Sequence, residues 1–220
     1  AKVQCSFKYR LLGEKARLGD KLPALRGLYA GFTQRSLWDI DADSSPFFDT
    51  SYMPELMLES QSMVDRGDAG GFKLLGYQAG IRHESNGRDG SDSRSLNIAY
   101  FRPAFSFGRL DGWNLIMVPR LFAYISDVGN NPDIADYRGN VELTAILGRN
   151  DRGALAVTGR LGQGAHRGSL SADLSIPVKF DRMFDFATYV LIQYWNGYGE
   201  SLRNYDQKSE TVRAGFSLVR

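Results

Sequence analysis

The feature that most constrains this chain is a repeated segment of about ten residues in which apolar and polar side chains alternate, followed by a turn. A β-strand places successive side chains on opposite faces, so each segment predicts a strand with one apolar face. The predicted strands are 2–11, 25–38, 50–60, 71–83, 95–107, 113–126, 137–147, 154–163, 168–176, 184–195 and 209–219. The chain is therefore predicted to be all-β, with about eleven antiparallel strands.

Strand length and the nature of the polar face favour a membrane β-barrel. The strands are about 10–14 residues long, against a usual length of 5–6 in globular proteins and 9–11 in membrane barrels. Charged residues occupy the middle of the polar faces: Arg35, Arg102, Arg120, Glu142, Arg160, Asp173 and Arg213. A membrane barrel has an apolar outer wall and a polar lumen, whereas a soluble β-barrel, the alternative fold, fills its interior with apolar side chains. We therefore predict one outer-membrane barrel domain over residues 1–220.

Composition excludes several other classes of protein. A net charge of +2 does not favour a nucleic-acid partner. The 11 Tyr and 13 Phe suit strands and membrane interfaces. The sequence has no apolar run near the length of a spanning helix, and the single cysteine, Cys5, has no partner for an intrachain disulfide.

The connections between strands alternate between short turns and longer polar loops, as in barrels with short periplasmic turns and long outer loops. This pattern predicts that the loop at 84–94 lies on the outer side. The first strand, 2–11, then runs from the outside inwards. Because bacterial barrels have even strand numbers, we expect either that one strand before residue 1 is missing by truncation or that the sheet is left open at 2–11.

A hairpin at 71–107 carries the candidate chemistry. Its first strand begins with an apolar row, Lys73, Leu75, Tyr77, Ala79 and Ile81, which continues to His83 and Ser85 on the same face. Its second strand carries the row Asn97, Ala99, Phe101, Pro103, Phe105 and Phe107. If the hairpin is centred near Gly90, His83 and Asn97 stand opposite each other, with Cβ atoms about 4.5–5.5 Å apart.

These residue types match the needs of a serine hydrolase acting on lipid. A serine hydroxyl becomes a nucleophile when an oriented base takes its proton, which assigns Ser85 as nucleophile, His83 as base and Asn97 as the orienting group. An amide can accept the imidazole N–H without the desolvation cost of a carboxylate. Gly87 can offer an unobstructed backbone N–H to an oxyanion. The other histidine, His166, is interpreted as a solvated loop residue.

The segment HESNGRDGSDSRSLN, residues 83–97, resembles the signature of the outer-membrane phospholipase A family. Five further segments match that family in the same order along the chain: residues 32–38, 43–47, 52–56, 130–134 and 197–202. On these six motifs the chain is identified as a member of the family over about residues 2–218.

The resemblance implies a 12-stranded barrel in the Gram-negative outer membrane that hydrolyses acyl esters of phospholipids and lysophospholipids. It also implies Ca²⁺ as cofactor, activity as a homodimer, and an active site on the outer wall at the outer leaflet. The triad would be Ser85, His83 and Asn97, and Gly87 would supply an oxyanion N–H.

The resemblance further implies the calcium ligands: the carbonyl of Arg88, the side chain of Ser93 and Ser44 of the partner subunit. Gln34 would lie in the dimer interface. The chain departs from the family at a second calcium position, because Gly90 and Asn130 stand where acidic residues are expected.

Two other functions fit a barrel of this kind. One is a non-catalytic pore or structural anchor, although inward charges of both signs suggest a lumen plugged by ion pairs. The other is an outer-membrane protease, which needs a second acidic cluster at the rim that the sequence does not convincingly place.

Overall fold

The computed structural model describes residues 1–13, 21–44, 46–61, 71–109, 111–125, 129–149, 152–178 and 188–218. These residues contain eleven strands, paired antiparallel in the order of the sequence. The strands are β1 (Lys2–Arg10), β2 (Leu28–Trp38), β3 (Phe47–Gln61), β4 (Phe72–Ser85), β5 (Ser95–Gly108), β6 (Asn114–Tyr124), β7 (Val141–Gly148), β8 (Ala154–Leu161), β9 (Gly168–Val178), β10 (Thr188–Gly197) and β11 (Ser209–Ser217). All eleven predicted strands are confirmed. The predicted strand ends at 126, 184 and 219 lie outside the described residues.

The sheet curls into a nearly closed barrel in which β1 and β11 flank the seam. Within the described ranges, no backbone pairing joins these two strands. Instead, a side chain spans this region, since Nζ of Lys2 donates a hydrogen bond of 3.1 Å to Oε1 of Gln193 on β10. None of the helices in the described part of the chain is long and apolar enough to cross a membrane.

The outer wall is apolar and exposed, as predicted for a membrane barrel. Phe7 is 63% exposed, Leu121 54% and Val212 72%, and neighbouring strands repeat the pattern. The lumen carries the predicted mid-strand charges, many of them ion-paired. Glu142, for example, lies 3.3 Å from Arg120 and 2.5 Å from Arg160. An apolar outer wall around a charged lumen is the reverse of a soluble barrel, and it confirms the predicted fold class.

An apolar cluster, which we call the outer plug, joins loops at the barrel end that carries the loop 86–94 to the lumen face of β3 and β5. Its buried members are Met57, Leu96, Ile98, Tyr100, Ile134, Leu202 and Tyr205. The segment 198–208 is fixed by the buried carboxylate of Asp49, which accepts the N–H groups of Leu202 and Arg203, each at 3.0 Å. The alternating pattern did not predict this plug, because its residues come partly from loops.

A short helix, α1 (Ile134–Arg138), belongs to the same plug. It explains why β7 starts at Val141 rather than at the predicted residue 137. The helix ends at Gly139, whose φ is +61° and where a Cβ would lie 1.8 Å from the carbonyl oxygen of Leu161. At the plug, the phenol of Tyr205 donates a hydrogen bond to Asp133. Burial, together with this bond, raises the pKa of Tyr205.

The prediction of which β4 side chains share the outer face is wrong at the end of the strand furthest from Ser85. A β-bulge between Leu74 and Gly76 shifts the register. Lys73 consequently stands opposite the fully buried Ser106, and Phe72 takes the place on the outer wall opposite Phe107. Leu75 occupies the bulge, so neither Lys73 nor Leu75 continues the row of Tyr77. The bulge lies far from the loop end of the hairpin, where the candidate site residues keep their predicted register.

Candidate active site

His83 on β4 and Asn97 on β5 are directly opposed in the sheet, as predicted. Nδ1 of His83 lies 2.9 Å from Oδ1 of Asn97. Because an amide oxygen can only accept, Nδ1 carries the proton and Nε2 is left as the acceptor that a general base requires. The side chains are half-buried on the outer wall.

Ser85 lies two residues beyond His83 on the same face, where it pairs with Ser95 on β5 and with Tyr52 on β3. Its hydroxyl makes no hydrogen bond to the described residues, including His83. Catalytic hydrogen bonds are often long before substrate binds, so this arrangement remains compatible with a nucleophile and its base.

Gly87 begins the turn that follows Ser85, and only glycine suits its place. Its φ is +65°, a left-handed conformation that disfavours other residues, and a Cβ there would lie 2.9 Å from the Tyr52 ring. No described residue accepts its backbone N–H. An N–H without a partner beside a candidate nucleophile is available to stabilise an oxyanion.

The loop 86–94 is shaped by Asn86, a residue that the sequence analysis did not single out. Its side chain is buried, accepts the N–H of Arg94 at 3.0 Å and donates to the carbonyl of Asp92 at 2.8 Å. The Asn-Gly pair at 86–87 was the available signal, since this dipeptide marks turns.

Glu84, between His83 and Ser85 in sequence, points to the opposite side and was also missed. It is 2% exposed. Its carboxylate lies 3.0 Å from Nη1 of Arg138 on α1 and 3.5 Å from Nη2 of Arg35, and it accepts the hydroxyl of Ser51 at 3.1 Å. The strand that carries the candidate catalytic pair is therefore fixed from the lumen.

The predicted calcium ligands Arg88 and Ser93 lie in the loop 86–94. The Arg88 carbonyl and the Ser93 hydroxyl make no hydrogen bond to described residues, so both oxygens are available to a cation. Ser44 is exposed in the β2–β3 loop. Neutral oxygens of this kind suit Ca²⁺, which binds carbonyl, hydroxyl and water oxygens.

Acidic ligands are scarce around this loop. Within the described residues, no group of three or more His, Cys, Asp and Glu side chains could hold a metal. The loop holds two carboxylates, those of Asp89 and Asp92, and that of Asp92 pairs with Arg203 at 2.8 Å. A calcium ion at Arg88 and Ser93 would therefore need waters or a second subunit to complete its shell.

Gln34 lies on the outer wall at the height of Ser85. It pairs in register with Tyr52, which in turn pairs with Ser85, so the three residues form a row across β2, β3 and β4. Gln34 is exposed, and its amide donates a long hydrogen bond of 3.5 Å to Ser36. The second histidine, His166, is exposed in the β8–β9 loop, away from this row.

A comparison with protein-family models gives a match to phospholipase A1 over residues 1–218. The chain belongs to the phospholipase A1 family. The family is one of ester hydrolases, the class that the sequence predicts, and its solved members carry the outer-membrane name, as predicted for the location.

Relatives in this family come from several Gram-negative bacteria. A Neisseria meningitidis protein carrying the phospholipase A1 name is 31% identical over 97% of this chain and 53% of its own length. The phospholipase A1 of Proteus vulgaris is 30% identical over 99% of this chain and 68% of its own length. The chain thus spans about half of the Neisseria protein.

Solved structures of the phospholipase A1 family share the fold. The outer membrane phospholipase A of Escherichia coli superimposes with a TM-score of 0.79 at 26% identity, covering 99% of this chain and 77% of that one. An outer membrane phospholipase of Salmonella typhi, solved as a dimer with bound calcium, gives a TM-score of 0.80 at 28% identity, covering 99% and 78%.

Proposed function

We propose that this chain is a calcium-dependent outer-membrane phospholipase that cleaves acyl esters of phospholipids and lysophospholipids at the outer leaflet. The observation that carries the proposal is the hydrogen bond between His83 and Asn97 on the bilayer-facing wall, with Ser85 on the same face. An asparagine-to-alanine active-site variant of the Escherichia coli enzyme has also been solved, which supports a catalytic role for an asparagine. Residues 1–220 are proposed to act as one barrel domain.

In the proposed reaction, Ser85, His83, Asn97 and Gly87 each act through one particular atom. Oγ of Ser85 attacks the ester carbonyl carbon while Nε2 of His83 takes the hydroxyl proton. Asn97 accepts the Nδ1–H and stabilises the imidazolium that forms. The Gly87 N–H donates to the oxyanion. His83 then returns the proton to the leaving alcohol oxygen, and water, activated by the same base, releases the fatty acid from Ser85.

The position of the site explains how substrate reaches it. The wall around the site is apolar, with Tyr52 38%, Ile81 51% and Phe101 44% exposed. A lipid chain can lie along such a surface while its ester group meets the polar residues at the rim. A water-soluble ester would gain little from this surface, so the substrate class is lipid.

Calcium and a second subunit are proposed to complete the site. The ion would be held by the Arg88 carbonyl, the Ser93 hydroxyl and Ser44 of the partner subunit, and it would supply positive charge near the developing oxyanion. Gln34 is proposed to lie in the dimer interface, because an exposed amide on a lipid-facing wall needs a partner. The Salmonella typhi structure, a dimer with calcium, supports both proposals for a relative of this chain.

A serine-directed sulfonyl fluoride tests the proposal directly. The refolded protein is incubated with the reagent and Ca²⁺, and the modified residue is mapped by mass spectrometry. We expect modification of Ser85, with a parallel loss of phospholipid hydrolysis, and no modification in a His83→Ala variant. Hydrolysis that persists after complete labelling, or labelling at another serine that abolishes activity, would contradict the proposal.

A further inference from the structure

The lumen contains an arginine-lined cavity that the proposed reaction does not use. Its volume is about 230 Å³, and Arg35, Arg82, Arg102 and Arg120 line it together with Glu55, the one carboxylate in its described lining. The cavity is lined by lumen-facing residues of β1 to β6 and borders the outer plug at Tyr100, on the opposite side of the sheet from Ser85. It is therefore separate from the candidate active site.

The carboxylates near this cavity are already engaged. Glu84 is shared by Arg35 and Arg138, and Glu142 is shared by Arg120 and Arg160. Glu55 accepts the phenol of Tyr100 at 2.9 Å and makes no described ion pair. Glu59, next in the row of Gln78 and Arg102, is paired with Lys8 at 2.7 Å. On this side of the lumen, six guanidinium groups and one ammonium group thus face four carboxylates among the described residues.

Of these six guanidinium groups, those of Arg82 and Arg102 make no ion pair with a carboxylate of the described residues. Arg102 donates only to the neutral amide oxygen of Gln78. Arg82 makes no described hydrogen bond, and its Nε is buried without a partner. Glu55 stands opposite Arg82 in the sheet and could turn towards it. That pairing would still leave Arg102 with only Glu59 nearby, a carboxylate that already binds Lys8 and Gln78, and it would leave the excess of positive charge unchanged.

A local excess of positive charge inside a barrel is costly unless an anion compensates it. We propose that the cavity is a binding site for one small tetrahedral oxyanion, of the inorganic phosphate or sulfate class, held by Arg82 and Arg102. Planar guanidinium groups bind such oxyanions through paired N–H donors. The volume suffices, because a water molecule takes about 30 Å³ and a phosphate ion is only a few times larger. A lipid phosphate is excluded as the source, because its acyl chains would have to enter a charged lumen.

Titration of the refolded wild-type protein with inorganic phosphate tests this site. The protein is prepared in phosphate-free and sulfate-free buffer, and binding is followed by calorimetry and by the melting temperature, with sodium chloride at equal ionic strength as the reference. We expect saturable binding of one phosphate per chain and a melting temperature several degrees higher. Arg82→Gln and Arg102→Gln should each weaken binding at least tenfold.

Arg213→Gln is the matched control, because Arg213 also faces the lumen but is paired with Glu200 at 2.5 Å and does not line the cavity. This variant should bind phosphate as the wild type does, even if it melts earlier. The proposal is wrong if phosphate gives no saturable signal, if chloride stabilises the protein equally, or if Arg82→Gln and Arg102→Gln bind like the wild type. Phospholipid hydrolysis is not a readout here, so the result is independent of the proposed function.

Discussion

The two faces of the β4–β5 hairpin differ in how many hydrogen bonds and ion pairs hold their side chains. On the outer wall, His83 bonds Asn97 at 2.9 Å, and the hydroxyl of Ser85 has no hydrogen bond to the described residues. On the lumen side of the same strand, Glu84 alone has three partners. Catalytic side chains must change hydrogen-bond partners during the reaction, so they cannot each make many fixed bonds. Their positions are instead fixed by the buried network around Glu84, on the lumen side of the same strand.

The largest effect should come from the outer face. We expect Ser85→Ala to lower phospholipid turnover by at least about 10³-fold, because no other group can form the acyl-enzyme. The fold should be unaffected, since the hydroxyl has no described hydrogen bond. Hydrolysis is measured with Ca²⁺ in mixed micelles, and folding by circular dichroism. Ser95→Ala, the cross-strand neighbour, is the control that should retain activity; equal turnover in the two variants would remove Ser85 from the mechanism.

The lumen face should act on both stability and turnover. Glu84→Gln leaves Arg35 and Arg138 without their shared carboxylate, which costs on the order of 3 kcal/mol in a buried pair. Because Glu84 lies between His83 and Ser85, kcat should fall roughly tenfold with KM unchanged. Glu142→Gln is the matched control, since that glutamate also bridges two arginines but lies on β7.

Glu142→Gln should therefore destabilise the barrel to a similar extent and leave kcat unchanged. Melting temperatures and steady-state kinetics on both variants separate the two effects. If both variants lose turnover equally, the loss reflects general loosening, and the idea that the lumen orders the catalytic strand fails.

In the turn between β4 and β5, Gly87→Ala should reduce turnover by about 10²-fold, because the added Cβ would displace the N–H from the oxyanion, with an effect similar to loss of the donor. A Cβ would meet the Tyr52 ring at 2.9 Å in a backbone with φ +65°. Gly90→Ala is the control, because Gly90 has φ +57° but nothing within 4 Å of a Cβ. Both variants place alanine in a left-handed backbone conformation at a similar energetic cost, but only at Gly87 does the Cβ also meet a neighbouring side chain. Only Gly87→Ala should therefore impair hydrolysis strongly; similar kinetics for the two would argue against the oxyanion role.

The same two faces explain what could be predicted from sequence. The outer wall was predictable, because strict alternation sets which side chains face lipid, and the opposition of His83 and Asn97 follows from the hairpin centre. The bulge at Leu75 was not predicted; Gly76 is the residue type that marks bulges, but Gly31 and Gly80 lie at strand positions where the register is regular. The partners of Glu84 and Asp49 come from α1 and from the segment 198–208, far away in sequence. Alternation within a strand carries no information about such contacts.

The smallest effect is expected outside the hairpin, at Gln34 on β2. Gln34→Leu removes an exposed amide whose one described bond is long, so the stability of the monomer should not change. If the row of Gln34, Tyr52 and Ser85 faces a second subunit, loss of the amide should weaken calcium-induced association by up to about tenfold, as expected for a buried hydrogen bond between membrane segments. Sedimentation equilibrium in detergent, with and without Ca²⁺, measures this change. Phe32→Leu, two residues earlier on the same face of β2, controls for altered apolar surface. Unchanged association of Gln34→Leu would place the contact between subunits elsewhere on the wall.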